Sequence, residues 1–184
     1  MKILLASQSP RRKELLQSLG FDFDIVKIDC EEIIPKNLPA SEVAAYLSLL
    51  KSNAFRDVEN NEILLTADTI VTIDNQILGK PKNENEAKQM LRKLSRKTHQ
   101  VITAITVKSA EKIRTESDIA FVEFDDLSEE EIDFYIKNFQ PFDKAGSYGI
   151  QEWIGMAKTK KIIGSYYTIM GLPTHLVYKI LKEL

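Results

Sequence analysis

The 184 residues are enough for one sizeable hydrophobic core, or for two tightly joined lobes. Hydrophobic and charged contents of 43% and 28% are those of an ordinary globular domain, and no apolar run approaches the roughly 20 residues that span a bilayer. A formal charge of −2 excludes a general nucleic-acid binder, so any phosphate-binding role must rest on local placement of lysine and arginine. In chain order, Ile3-Leu4-Leu5-Ala6 reads as a first buried strand, followed by the polar turn Ser7-Gln8-Ser9-Pro10-Arg11-Arg12. Leu15, Leu16 and Leu19 then recur at helical spacing, with Ser9 as the expected N-cap, Pro10 in the first turn and Gly20 as the stop.

Phe21 to Ile28 alternates apolar and charged residues, the pattern of a half-buried strand. A loop through Glu31, Glu32, Pro35 and Pro39 leads to a helix that Ser41 should cap and that runs to about Phe55. Val43, Leu47, Leu50 and Ala54 share one of its faces, with Lys51 close by. Ile63 to Ile73, rich in β-branched residues, is the most strand-like segment, and Asp74-Asn75 turns it into a short partner ending at Gly79-Lys80-Pro81. Asn83 and Glu86 have capping-box spacing for a helix through Leu94, as do Ser128 and Glu131 for one bearing Ile132, Tyr135 and Ile136. Between them, Thr98 to Val107 and Ile113 to Phe124 should form a long antiparallel pair. Five of the seven glycines lie from Gly146 to Gly171, which predicts tight turns, and Pro173 opens a last helix with Leu176, Val177, Ile180 and Leu181. The expected class is α/β or α+β around a mixed sheet, as a single domain over 1–184.

The single cysteine, Cys30, precludes an internal disulfide and fits a reducing cytoplasm, and the first residues leave no room for a signal peptide. A cytoplasmic location is therefore expected. Two arginines in a first helical turn sit against the positive end of the helix dipole. The arrangement becomes favourable when an anion binds there, because Ser7 and Ser9 hydroxyls, free N–H groups and a guanidinium fork converge on it. An ordinary solvated helix start is the competing reading. Asp68 interrupts an apolar strand, where a carboxylate is costly unless paired or bound to a cation; it could instead end a strand and cap a turn. Thr66 and Thr69 could offer hydroxyls to a ligand or fill a sheet face, and Lys80 sits in a rigid frame between Gly79 and Pro81. Gln151 carries an amide that donates and accepts at once, the chemistry that reads a nucleobase edge.

Taken in order, LASQSPRRKELL from Leu5, Glu31-Glu32, Lys51, ADTIV from Ala67, GKP from Gly79, THQVITA from Thr98, DKAGSYGIQ from Asp143 and GSYYTIMGLP from Gly164 resemble the Maf family. These are nucleoside triphosphate pyrophosphatases, historically named septum-formation inhibitors. The resemblance implies an elongated mixed β-sheet with flanking helices, similar to inosine triphosphatase, with a nucleotide cleft between two lobes and often a homodimer. By position, Asp68 resembles the proton acceptor; Arg12, Thr69 and Gln151 match substrate-selecting positions; Glu32, Lys51 and Lys80 match further active-site positions. Ser7, Ser9 and Arg11 would join Arg12 on the phosphates, and Glu32 and Asp68 would hold Mg²⁺ or Mn²⁺. No nucleic acid or membrane partner is expected.

The YGIQ form from Tyr148 to Gln151 is similar to the subgroup acting on dTTP and UTP, and departs from the one acting on 7-methyl-GTP. Similar members have glycine after the glutamine, whereas Glu152-Trp153 follows here. The implied reaction is hydrolysis between the α- and β-phosphates, giving a monophosphate and pyrophosphate in a nucleotide house-cleaning role. A 7-methyl-GTP enzyme of the same family and a non-catalytic nucleotide-binding regulator of septum formation are the alternatives. The regulator would need the cations but no carboxylate such as Asp68.

Overall fold

In the computed structural model, which describes residues 1–184, the strand β3 (Glu62–Ile73) is buried at every position but Thr69. A strand covered on both faces must lie inside a sheet with layers on either side. Its neighbours are β1 (Lys2–Leu5), which pairs with it in parallel, and β5 (Thr98–Lys108); β2 (Phe23–Ile25) lies outside β1, again in parallel. β6 (Ile113–Phe124) and β7 (Thr159–Ile163) continue beyond β5, and β4 (Gln76–Leu78) pairs back on β3, giving a seven-stranded mixed sheet in the order β2-β1-β3-β5-β6-β7. The expected mixed α/β architecture is what forms. No helix is long and apolar enough to cross a membrane.

Contacts divide the chain into two units: Met1–Thr69, Thr103–Asp118 and Gly171–Leu184 make the first, Ile70–Ile102 and Ile119–Met170 the second. In the first, the helices α1 (Pro10–Ser18) and α2 (Ala40–Ala54) are the crossovers that parallel pairing requires, and α7 (Thr174–Lys182) closes the chain with Val177, Ile180 and Leu181 buried. Three local expectations differ from what forms. Only Phe23–Ile25 of the alternating 21–28 segment is strand; Val26 and Ile28 instead pack beside Leu4, Val58 and Leu64. The caps differ too: Ser9 precedes α1 without capping it through its side chain, and α2 starts one residue before Ser41, after Pro39. The buried face of α2 is Val43, Ala44, Leu47, Ser48 and Ser52, not one through Leu50 and Ala54. Ser48 can be buried because its hydroxyl is bonded to Thr106 Oγ1 at 3.0 Å and Thr66 Oγ1 donates to its carbonyl at 2.8 Å.

The second unit begins with a hairpin. Asp74 and Asn75, at φ 51° and 59°, make the two-residue left-handed turn between β3 and β4, in the register Ile73 opposite Gln76. α3 (Glu84–Leu94) starts with Asn83 accepting the Glu86 N–H at 2.9 Å, but the return bond from Glu86 goes to the Lys82 N–H. α4 (Glu129–Phe139) has the full reciprocal box between Ser128 and Glu131. Two 3₁₀ turns, α5 (Trp153–Lys158), β7 and α6 (Tyr166–Met170) occupy the glycine-rich stretch; β7 is antiparallel to β6, with Ile163 opposite Phe121.

His99 belongs to this unit's core, edge-on to Phe124 and Tyr148, with Nε2 2.7 Å from the Tyr148 hydroxyl. Burial pushes its pKa down from 6.5 to about 3. Between those two values the unfolded chain binds a proton that the folded chain refuses. The site's stabilisation is therefore complete above pH 6.5 and lost progressively as the pH falls towards 3. Urea unfolding of wild type and His99→Asn at pH 7, 5 and 4 should show a steeper acid loss in the wild type; parallel profiles would contradict this burial effect.

Candidate functional site

Strand alternation sets the geometry of the first unit's polar cluster. Thr66 and Asp68 are two apart on β3 and so share a face, and both are met by α2, through Ser48 and Lys51 one turn apart. Lys51 Nζ lies 2.5 Å from Asp68 Oδ1 and 3.0 Å from Glu32 Oε1. The side chains of Lys51 and Asp68 are 18% and 12% exposed, while Glu32, in the loop before α2, is 50% exposed. This answers the cost of a carboxylate in a buried strand: it is paired. Of the two loop glutamates, Glu32 is the one the pairing selects, and Thr66 is spent on the sheet–helix contact.

Arg12 forms a second cluster. Its Nε donates to Gly171 O at 2.8 Å, Nη1 to Ala67 O at 2.8 Å and to Ser7 Oγ at 3.4 Å, and Nη2 to Thr69 Oγ1 at 3.0 Å. Four bonds leave one of the five guanidinium N–H donors. Burial lowers its pKa from the ordinary arginine value, and the charge of Asp68 opposes that shift. Thr69 Oγ1 is also 2.9 Å from Thr103 Oγ1, and Ser7 Oγ accepts the Ser9 N–H at 3.2 Å. The turn from β1 into α1 is thus held by Ser7 and Arg12, while Arg11 stands beside them on α1. Gly171 must approach closely: its φ is +108°, and a Cβ there would lie 3.3 Å from Thr69 Oγ1.

Glu32, Lys51, Asp68, Ser7, Ser9, Arg11, Arg12 and Thr69 all belong to the first unit; Lys80 and Gln151 belong to the second. Lys80 is exposed, and the preceding Gly79 carbonyl accepts the Gly146 N–H at 3.1 Å. The Gln151 Oε1 is buried with no hydrogen-bond partner in the protein. Thr103 and Gly171 were not singled out from sequence as site residues, although both lie inside the THQVITA and GLP blocks.

Glu32 and Asp68 are the carboxylate oxygen donors of the first cluster. Two carboxylates already converge on one positive group, the Lys51 ammonium, and Mg²⁺ is characteristically held by one or two carboxylates plus substrate phosphates. No group of three or more His, Cys, Asp or Glu side chains is assembled anywhere in the chain, so a preformed all-protein metal cage is absent.

The chain matches the Maf-like protein family over residues 2–184. It is 49% identical to the dTTP/UTP pyrophosphatase of Phocaeicola vulgatus, covering 100% of this chain and 96% of that protein. The protein of the same name from Flavobacterium psychrophilum is also 49% identical, over 96% of this chain and 91% of its own. Among solved structures, a HAM1 protein from Coxiella burnetii superposes with a TM-score of 0.54, at 12% identity and 100% coverage of both chains, a likeness of fold alone.

Proposed function

The chain belongs to the Maf family, and on that premise we propose that it is a nucleoside triphosphate pyrophosphatase that hydrolyses dTTP and UTP to the monophosphate and pyrophosphate. The observation that supports this reading most is the convergence of Asp68 and Glu32 on Lys51 beside the Arg12-anchored turn. Breaking a phosphoanhydride asks for positioning and charge neutralisation more than covalent chemistry. Lys51 carries the cation for the phosphates and is paired with Asp68 and Glu32. Triphosphate oxygens compete for the same ammonium and release Asp68, which takes the proton of the attacking water. Arg12 contributes its remaining N–H and the fixed shape of the turn; Ser7, Ser9 and Arg11 complete the anion contacts, and Lys80 adds a further positive charge. Glu32 and Asp68 are the residues that would hold Mg²⁺ or Mn²⁺, which when bound neutralises phosphate charge and makes water more acidic.

Base choice is assigned to Gln151. Uracil and thymine offer an N3–H donor beside an O4 acceptor, and one amide answers both. Gln151→Glu should lower kcat/KM on UTP roughly 10–100-fold, because a carboxylate has no donor for O4 and an unpaired buried polar group costs about 1–3 kcal/mol. An unchanged rate would remove Gln151 from the base contact.

The reading as a whole is tested by rates across a panel of ribo- and deoxyribonucleoside triphosphates with Mg²⁺. dTTP and UTP should lead, 5-substituted pyrimidines should be accepted and purines should be poor. Preference for GTP or a 7-methylated guanine nucleotide would overturn the subgroup; turnover of none would overturn the enzyme and favour a nucleotide-binding regulator.

A further inference from the structure

Glu152 is used neither in the phosphate chemistry nor in the base contact, yet its carboxylate is only 17% exposed and is held from two sides. Lys144 Nζ, itself 9% exposed, lies 3.1 Å from Oε1, and the Tyr135 hydroxyl donates to Oε2. The same hydroxyl accepts the Gly149 N–H at 2.9 Å. One buried phenol thus ties the residue two places before Gln151 to the residue just after it. The turn is closed again by the Glu152 N–H on the Gly149 carbonyl, at 3.0 Å.

Glycine at 149 leaves room for both side chains. A methyl group on its α-carbon would lie 2.9 Å from Gln151 Nε2, 2.8 Å from Glu152 Cδ and 3.0 Å from Glu152 Oε1. The nitrogen end of the Gln151 amide therefore shares the space over Gly149 with a carboxylate, and the oxygen end is the buried acceptor left without a protein partner. Rotating the amide by half a turn would bring its carbonyl oxygen, with its partial negative charge, to the carboxylate's side, where two acceptors would face each other with no donor between them.

We propose that Glu152 is a positioning residue for base selection: fixed by Lys144 and Tyr135, its carboxylate holds the Gln151 amide in the one orientation that leaves Oε1 as a free acceptor. This rests on the assignment of Gln151 to the base. A fixed acceptor takes the N3–H of uracil or thymine and rejects cytosine, whose N3 is itself an acceptor. A glutamine free to rotate would serve both.

The test compares kcat and KM on UTP and CTP, with Mg²⁺, for the full chain, Glu152→Gln and Tyr135→Phe. Glu152→Gln keeps the size and loses the charge; Tyr135→Phe keeps the ring and loses both bonds. Thermal melts establish that each is folded, and the isosteric Glu152→Gln stands alone if Tyr135→Phe is not. The UTP-over-CTP ratio of kcat/KM should fall about tenfold in both, a change of about 1.4 kcal/mol, chiefly through a lower KM for CTP with kcat on UTP held within about twofold. A ratio that stays at the wild-type value while both nucleotides slow equally would reduce Glu152 to a fold-stabilising residue and overturn the proposal. A wild type that turns over UTP and CTP equally well overturns it too, while leaving the pyrophosphatase reading intact. A wild type inert on both defeats that reading itself, and this inference with it.

Discussion

Asp68→Asn is expected to lower kcat on UTP by ~10²–10⁴-fold, the usual loss when a general base is removed, while the protein stays folded. Asparagine keeps a side-chain oxygen at the position that accepts from Lys51, now 2.5 Å from Asp68 Oδ1, so the contact between β3 and α2 persists. Lys51 also retains Glu32 at 3.0 Å and is not left as an unpaired buried charge. What disappears is the group that can take a proton and the charge that can hold a cation. Circular dichroism and a thermal melt establish folding, and steady-state rates read the loss. A folded variant with near wild-type turnover would remove Asp68 from the reaction.

Arg12→Ala should be the most damaging change in the first unit, in stability as well as rate. The guanidinium is the joint of four bonds to the turn, to β3 and to Gly171, and its loss strands the carbonyls of Ala67 and Gly171. Leaving those two carbonyls without their donor costs about 1–3 kcal/mol each, on the order of 2–6 kcal/mol together. At about 2–4 °C per kcal/mol for a chain of this size, the melting midpoint should fall by roughly 10 °C. Arg11→Ala, which breaks none of these four bonds, should shift it less. Arg12→Lys keeps the charge but not the fork, so it should recover only part of the loss. Equal, negligible effects of Arg11→Ala and Arg12→Ala would restore the view of this turn as an ordinary solvated helix start.

Much of this was readable in the chain because the signals are local. β-branched residues from Ile63 to Ile73, the Asp74-Asn75 turn and the Ser128/Glu131 box each carry their cause within a few residues, and each formed where expected. Glu32, Lys51 and Asp68 were grouped only through the family resemblance, because a loop, a helix and a strand bring them together and no local spacing shows the pairing. Other features depend on partners far along the chain. Ser48 looks like a solvent-facing residue until Thr66 and Thr106 supply its hydrogen bonds, which is why the buried face of α2 was misplaced. β7 reads Thr-Lys-Lys-Ile-Ile, with two exposed lysines, and is a strand because β6 offers an edge to pair with. Arg12 is recognisable as a candidate anion ligand, but its architectural role depends on Gly171, 159 residues later. Glu152 gave no signal beyond being unexpected at its position; its meaning lies in Tyr135 and Lys144.

Pyrophosphatase action cuts a nucleoside triphosphate only between its α- and β-phosphates, and product analysis tests that most directly. With UTP and Mg²⁺, the account predicts UMP and pyrophosphate in equal amounts from the first turnover, with no UDP at any time. UDP and orthophosphate as initial products would contradict it, whatever the rate.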